Sequence, residues 1–119
     1  MPQVKFYGLK APLRRDREAL SAAVQAALVT AFAVSEDKCF QRFIGLDAED
    51  FIYPADRSER YTIIEISCFE GRSAEARRAL IRLAYEEIGL RVGIGAQDVE
   101  ITLFETPKAN WGIGGKVAD

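Results

Sequence analysis

Apolar and polar residues alternate from the start of the chain. Val4 and Phe6 fall on one side of an extended segment and Lys5 and Tyr7 on the other, the period of a strand with one face turned inward. Gly8 to Pro12 breaks the pattern. From about Leu13 to Phe32 the positions Leu20, Val24, Ala27, Leu28 and Ala31 recur at three- and four-residue steps, predicting an amphipathic helix whose alanine-rich face can lie close on a sheet. A turn at Ser35-Glu36-Asp37 and a strand over Lys38 to Ile44 complete a β-α-β unit. The polar stretch from Gly45 to Arg60 reads as a connector, with Phe51-Ile52-Tyr53 as an edge strand or hairpin arm. Tyr61 to Phe69, β-branched and apolar on both faces near its start, predicts a central strand. Gly71 permits a sharp turn and Ser73 suits a helix cap, so a second helix is expected from about Ala74 to Leu90, with Ala76, Leu80, Leu83 and Ala84 inward. Gly93 and Gly95 form a loop before a last strand over Val99 to Glu105. The tail from Thr106 onward is expected to be irregular except around Trp111.

The two halves repeat one order of elements. Val4 meets Ile64, Phe6 meets Ile66 and Leu20 meets Leu80 at an offset of sixty, and Asp37 meets Asp98 at sixty-one. One domain is expected, divided into a first unit (1–45), a connector (46–60), a second unit (61–106) and a tail (107–119). Within each unit the strands run parallel with a right-handed crossover. Joining the units through their first strands, antiparallel about a pseudo-twofold axis, gives an α+β (α/β) fold: a four-stranded mixed sheet with two helices on one face. The other face is left uncovered, and apolar residues there call for self-association. The same pairing sets Pro2, at the start of the first strand, near Glu70-Gly71-Arg72-Ser73 at the end of the central one.

Composition narrows the chemistry. With 16 basic against 18 acidic residues and no long run of either, there is no electrostatic footprint for nucleic acid or an anionic membrane, and a small-molecule or protein partner is expected. No apolar run is long enough to span a membrane and no signal-peptide pattern opens the chain, so a cytoplasmic location is expected. Cys39 and Cys68 follow no metal-ligand spacing and read as buried thiols of a reducing compartment. The glycines at 93, 95 and 112–115 read as turn punctuation rather than a phosphate loop. The chain has no histidine, which removes Ser-His and Cys-His nucleophile systems and leaves zinc with poor ligands; neither metal nor cofactor is expected.

Pro2, the turn Glu70-Gly71-Arg72-Ser73 and the segment Asn110-Trp111-Gly112-Ile113-Gly114 together resemble the tautomerase superfamily, and the resemblance covers the whole chain. The turn is similar to the EGRS turn of 4-oxalocrotonate tautomerase, and the aromatic tail segment to that of the malonate semialdehyde decarboxylase branch. The resemblance implies an N-terminal proline freed by loss of Met1, an Arg72 that binds a substrate carboxylate, and an Asp37 in the place of the decarboxylase branch's catalytic aspartate. It also implies a homotrimer, with Trp111, Ile113 and Phe104 as substrate-binding residues. One departure is plain: where the decarboxylase pattern carries a first arginine, this chain has Glu70, which weighs against decarboxylation. Thr62 stands where the second half would carry its own proline, so one site per protomer is expected.

A free Pro2 amine, buried and near a guanidinium, would be held partly neutral and could move a proton on the carbon beside a carbonyl. Three readings follow. The first is a tautomerase, an isomerase of a small 2-oxo or 2-hydroxydienoic acid or an arylpyruvate, with Pro2 as base and Arg72 on the carboxylate. The second is a decarboxylase or hydratase in which Pro2 is an acid and Asp37 activates water. The third is an oligomeric binding protein with little turnover. Asp37 is also readable as a plain turn residue, Trp111 as a tail anchor and Arg72 as a solvated charge, although a cation at a helix start opposes the dipole.

Overall fold

A computed structural model of the chain describes residues 2–119. Its elements are β1 (Gln3–Leu9), α1 (Lys10–Phe32), β2 (Gln41–Leu46), β3 (Thr62–Phe69), α2 (Ala74–Arg91), β4 (Val99–Thr106), β5 (Gly112–Ile113) and β6 (Lys116–Val117). The first four strands form one mixed sheet in the order β2-β1-β3-β4. β1 pairs parallel with β2 and β3 with β4, while β1 and β3 meet antiparallel at the centre.

The central register follows from the repeat. Val4 and Ile64 are equivalent, as are Phe6 and Ile66, and a twofold axis between the strands pairs each with the other's counterpart: Val4 lies opposite Ile66 and Phe6 opposite Ile64. All four are buried beneath the helices with Leu20, Val24, Leu80 and Ile88. Ala23, Ala27 and Ala84 are also buried, so small side chains bring both helices close to the sheet. Phe6 stacks on Phe43 of β2 with centroids 4.3 Å apart.

Four sequence expectations are corrected. No break separates β1 from α1, because Pro12 is the third helical residue, within the first turn where backbone N–H groups have no intrahelical acceptor. β2 begins at Gln41 rather than Lys38, which leaves Cys39 in the preceding loop and exposed, not buried. Phe51-Ile52-Tyr53 forms no strand: Phe51 and Tyr53 pack with Tyr61 in an aromatic cluster while Ile52 is exposed. The tail is a hairpin, since Gly114 and Gly115 both take positive φ (59° and 85°), as a tight two-residue turn requires.

The sheet face away from the helices is bare, but it is mixed rather than apolar. Lys5 pairs with Glu65 and Tyr7 with Ile63 in register, and Thr102 and Phe104 continue the face on β4. At the end of the sheet where β3 begins, Arg60 ties the connector down. Its guanidinium donates to Asp16 of α1 (3.2 Å) and to the carbonyls of Val92 (3.0 Å) and Gly93 (3.3 Å) at the end of α2. No helix among the described residues is long and apolar enough to cross a membrane.

The repeat predicts matched energetics in the two halves. Leu20 and Leu80 are both fully buried, so Leu20→Ala and Leu80→Ala should each lower the unfolding free energy by about 2–5 kcal/mol in urea titrations. A loss well below that range in one half only would show that the two units do not share one core.

Candidate functional site

Strand directions gather the candidate residues at one end of the sheet. β1 and β2 start there, β3 and β4 end there, and α1 finishes above them. Pro2 is buried. The ladders run to Gln3 opposite Ser67 and to Val4 beside Gln41, with the Val4 N–H donating to the Phe40 carbonyl at 2.9 Å. One step beyond the β1–β3 ladder, Pro2 falls opposite Cys68, in line with the helix-covered face. Cys68 is buried, and burial pushes its thiol pKa up against an opposing pull from the Arg72 charge. Pro2 and Cys68 are thus both buried, and Arg72 follows Cys68 by four residues. Loss of Met1 lies outside the described residues.

Arg72 sits in the turn between β3 and α2. Gly71 supplies the positive φ (119°) that the turn needs. Ser73 caps α2 as expected, its hydroxyl oxygen accepting from the Ala76 N–H at 3.1 Å. Two supports were not legible from the motif. Arg77 donates from Nη1 to the Arg72 carbonyl at 2.6 Å while pairing with Glu105 of β4 at 3.4 Å. The Arg72 guanidinium itself lies 4.2 Å over the ring of Phe32, in the last turn of α1.

Asp37 stands at the same end, in the turn two residues before Cys39, and is exposed. Trp111 packs edge-on against Phe69 with centroids 4.8 Å apart, anchoring the tail to the last residue of β3. Phe104 is opposite Ser67 in register, hence on the sheet face turned away from Pro2, and is 45% exposed. Ile113 is exposed in the hairpin. Pro2, Asp37 and Arg72 thus share one end of the sheet, whereas Phe104 belongs to the other face of that end. The clustered carboxylates Asp47, Glu49 and Asp50 follow β2, at the opposite end; all three are exposed, and Asp47 pairs with Lys10 at 2.9 Å.

The Asp37 carboxylate accepts a hydrogen bond from the Ser35 hydroxyl, and this contact first, then its own backbone N–H, lowers its pKa below the ordinary carboxylate value. The stability carried by the ionised form is therefore complete above the ordinary carboxylate range and is lost as pH falls through the lowered value. In Ser35→Ala the Asp37 midpoint should move up toward the ordinary value, read by carboxyl 13C titration. An unmoved midpoint would rule out Ser35 as its main cause.

The model of a family described as tautomerase enzyme matches residues 38–114, more than half of the chain. The 2-hydroxymuconate tautomerase of Comamonas testosteroni is 35% identical over 51 residues, covering 43% of this chain and 81% of that protein. Two solved structures share the fold across nearly the whole length. A malonate semialdehyde decarboxylase inhibited by 3-bromopropiolate has a TM-score of 0.82 at 26% identity, covering 94% of this chain and 88% of its own. A fused 4-OT solved as an asymmetric trimer has a TM-score of 0.84 at 17% identity, covering 98% and 95%. The family match begins after Pro2 and rests on β2, the connector, the second unit and the tail, so it is independent of the N-terminal residue. By that match and the shared fold, the chain belongs to the tautomerase family.

Proposed function

We propose that the chain is a proline-dependent tautomerase acting on a small 2-oxo or 2-hydroxydienoic acid or an arylpyruvate. Pro2, once it is a free N-terminus, is the general base, and Arg72 binds the substrate carboxylate. The observation that carries this reading is the register: the central ladder, extended one step, brings Pro2 opposite Cys68, four residues before Arg72. Burial and the neighbouring guanidinium both disfavour an ammonium form of the amine. Neutral Pro2 takes the enol or C–H proton, the electron pair moves through the conjugated system, and Pro2 returns the proton to the other terminus of that system. Arg72 offers planar N–H donors to the carboxylate and offsets the enolate charge as it develops. The likeness to 2-hydroxymuconate tautomerase supports isomerase chemistry.

A second reading, decarboxylation or hydration with Pro2 as acid and Asp37 activating water, is favoured by one likeness, the 26% identity to a malonate semialdehyde decarboxylase. The hydrogen bond that favours ionised Asp37 is compatible with it. In either reading Trp111, Ile113 and Phe104 are the substrate-binding residues, and the chain assembles as a homotrimer. The exposure of Ile113 and Phe104 and the trimeric form of a fused 4-OT support that arrangement.

Ketonisation of phenylenolpyruvate tests the proposal, with intact mass to establish loss of Met1. Pro2→Ala should lower kcat/KM by roughly 10²–10⁴-fold, the range for a lost general base, while Asp37→Asn leaves it nearly unchanged. Equal rates for the wild type and Pro2→Ala would sink the catalytic proline. Turnover of a β-oxo acid to carbon dioxide that disappears in Asp37→Asn would select the second reading, and absence of either turnover would leave a binding protein.

A further inference from the structure

We infer that Phe32 is a positioning residue for Arg72, fixing the guanidinium for an incoming planar carboxylate without using any of its hydrogen-bond donors. The inference rests on the reading of Arg72 as the carboxylate-binding group. The guanidinium carbon lies 4.2 Å above the centre of the Phe32 ring, close enough for a cation–π contact. A guanidinium can meet a ring through its π face, and its five N–H bonds then lie in its own plane and point outward, free for a carboxylate. Among the described residues, Arg72 makes no ion pair and its side chain donates no hydrogen bond. An aspartate or glutamate partner would fix the group equally well, but it would occupy the fork and cancel the charge a substrate needs.

The ring is itself held firmly. Phe32 is only 8% exposed, in the last turn of α1, and belongs to the main core cluster. The helix stops one residue later at Ala33 (φ 53°), whose N–H bonds back to the Leu28 carbonyl. The other end of the arginine is fixed independently by Arg77, which donates to the Arg72 carbonyl and is anchored by Glu105. Backbone and guanidinium are thus held by different elements, α2 with β4 on one side and α1 on the other. Less side-chain freedom is then lost when a carboxylate binds, which appears as affinity.

A four-way comparison of wild type, Phe32→Leu, Arg72→Ala and the double variant tests this. The readouts are KM and kcat for phenylenolpyruvate and, independent of turnover, the Kd of 3-phenylpropionate by titration calorimetry. Phe32→Leu keeps the apolar bulk and removes the π face; Phe32→Tyr keeps the ring, and thermal melts identify any variant unfolded at the assay temperature. Phe32→Leu should raise KM and Kd roughly threefold to tenfold, the range of a partly desolvated cation–π contact, with kcat changed less than twofold. Phe32→Tyr should restore wild-type values, and in the Arg72→Ala background Phe32→Leu should add nothing. Equal weakening by Phe32→Leu with and without Arg72, or none while Arg72→Ala weakens binding, overturns the inference and leaves the role of Arg72 standing. Arg72→Ala with unchanged Kd removes both.

Discussion

The antiparallel pairing of β1 with β3 is the constraint on which the rest depends. It joins two units that each have only a pair of strands and one helix, too little to bury an apolar face alone. Because the axis passes between Val4–Phe6 and Ile64–Ile66, one register serves both halves, and a slip of one residue would leave one apolar row beneath the helices and turn the other toward the bare face. The same register decides which residues share an end of the sheet. Pro2 comes to lie beside the exit of β3 because the strands run in opposite directions. Arg72 comes to lie under the end of α1 because α2 starts where β3 stops.

The parts legible in the sequence were those set by local periodicity and by the repeat. Both helices, four strands and their order followed from alternation, three- and four-residue spacing and the offset between halves, and Ser73 announced its cap. What escaped was decided by neighbours in space. Pro12 looks like a breaker until its place in an unsatisfied first turn is known. Cys39 looks buried because Phe40, Phe43 and Ile44 follow it, yet β2 starts two positions later. The hairpin of the tail did carry a local signal, two adjacent glycines between short extended segments, and could have been read from it.

The candidate site divides in the same way. Pro2, Asp37 and Arg72 were placed from motifs and strand direction, and the register sets all three at one end of the sheet. Their supports were invisible, because Phe32 is forty residues from Arg72 and Glu105 is twenty-eight from Arg77 along the chain. Nothing in the periodicity of α1 distinguishes a final phenylalanine that fills the core from one that also carries a guanidinium. Both roles select a large, rigid, buried ring at the helix end.

The two arginines at opposite ends of the sheet sharpen the contrast. At the offset of sixty, Thr62 matches Pro2 and Pro12 matches Arg72, so the pseudo-symmetric end has neither a terminal amine nor an arginine in the turn. Thr62 is internal and buried, and its hydroxyl donates to the Arg60 carbonyl at 2.9 Å. Arg60 is near that end, but its donors are taken by Asp16, Val92 and Gly93, so its charge is spent on holding α1, α2 and the connector together. Arg72 is in the opposite condition, with its guanidinium carbon 4.2 Å from the centre of the Phe32 ring and no ion pair or side-chain hydrogen bond among the described residues. The two guanidiniums thus differ less in burial than in what occupies the plane of the fork. By that criterion Arg60 belongs to the fold, while the plane of the Arg72 fork carries no partner among the described residues.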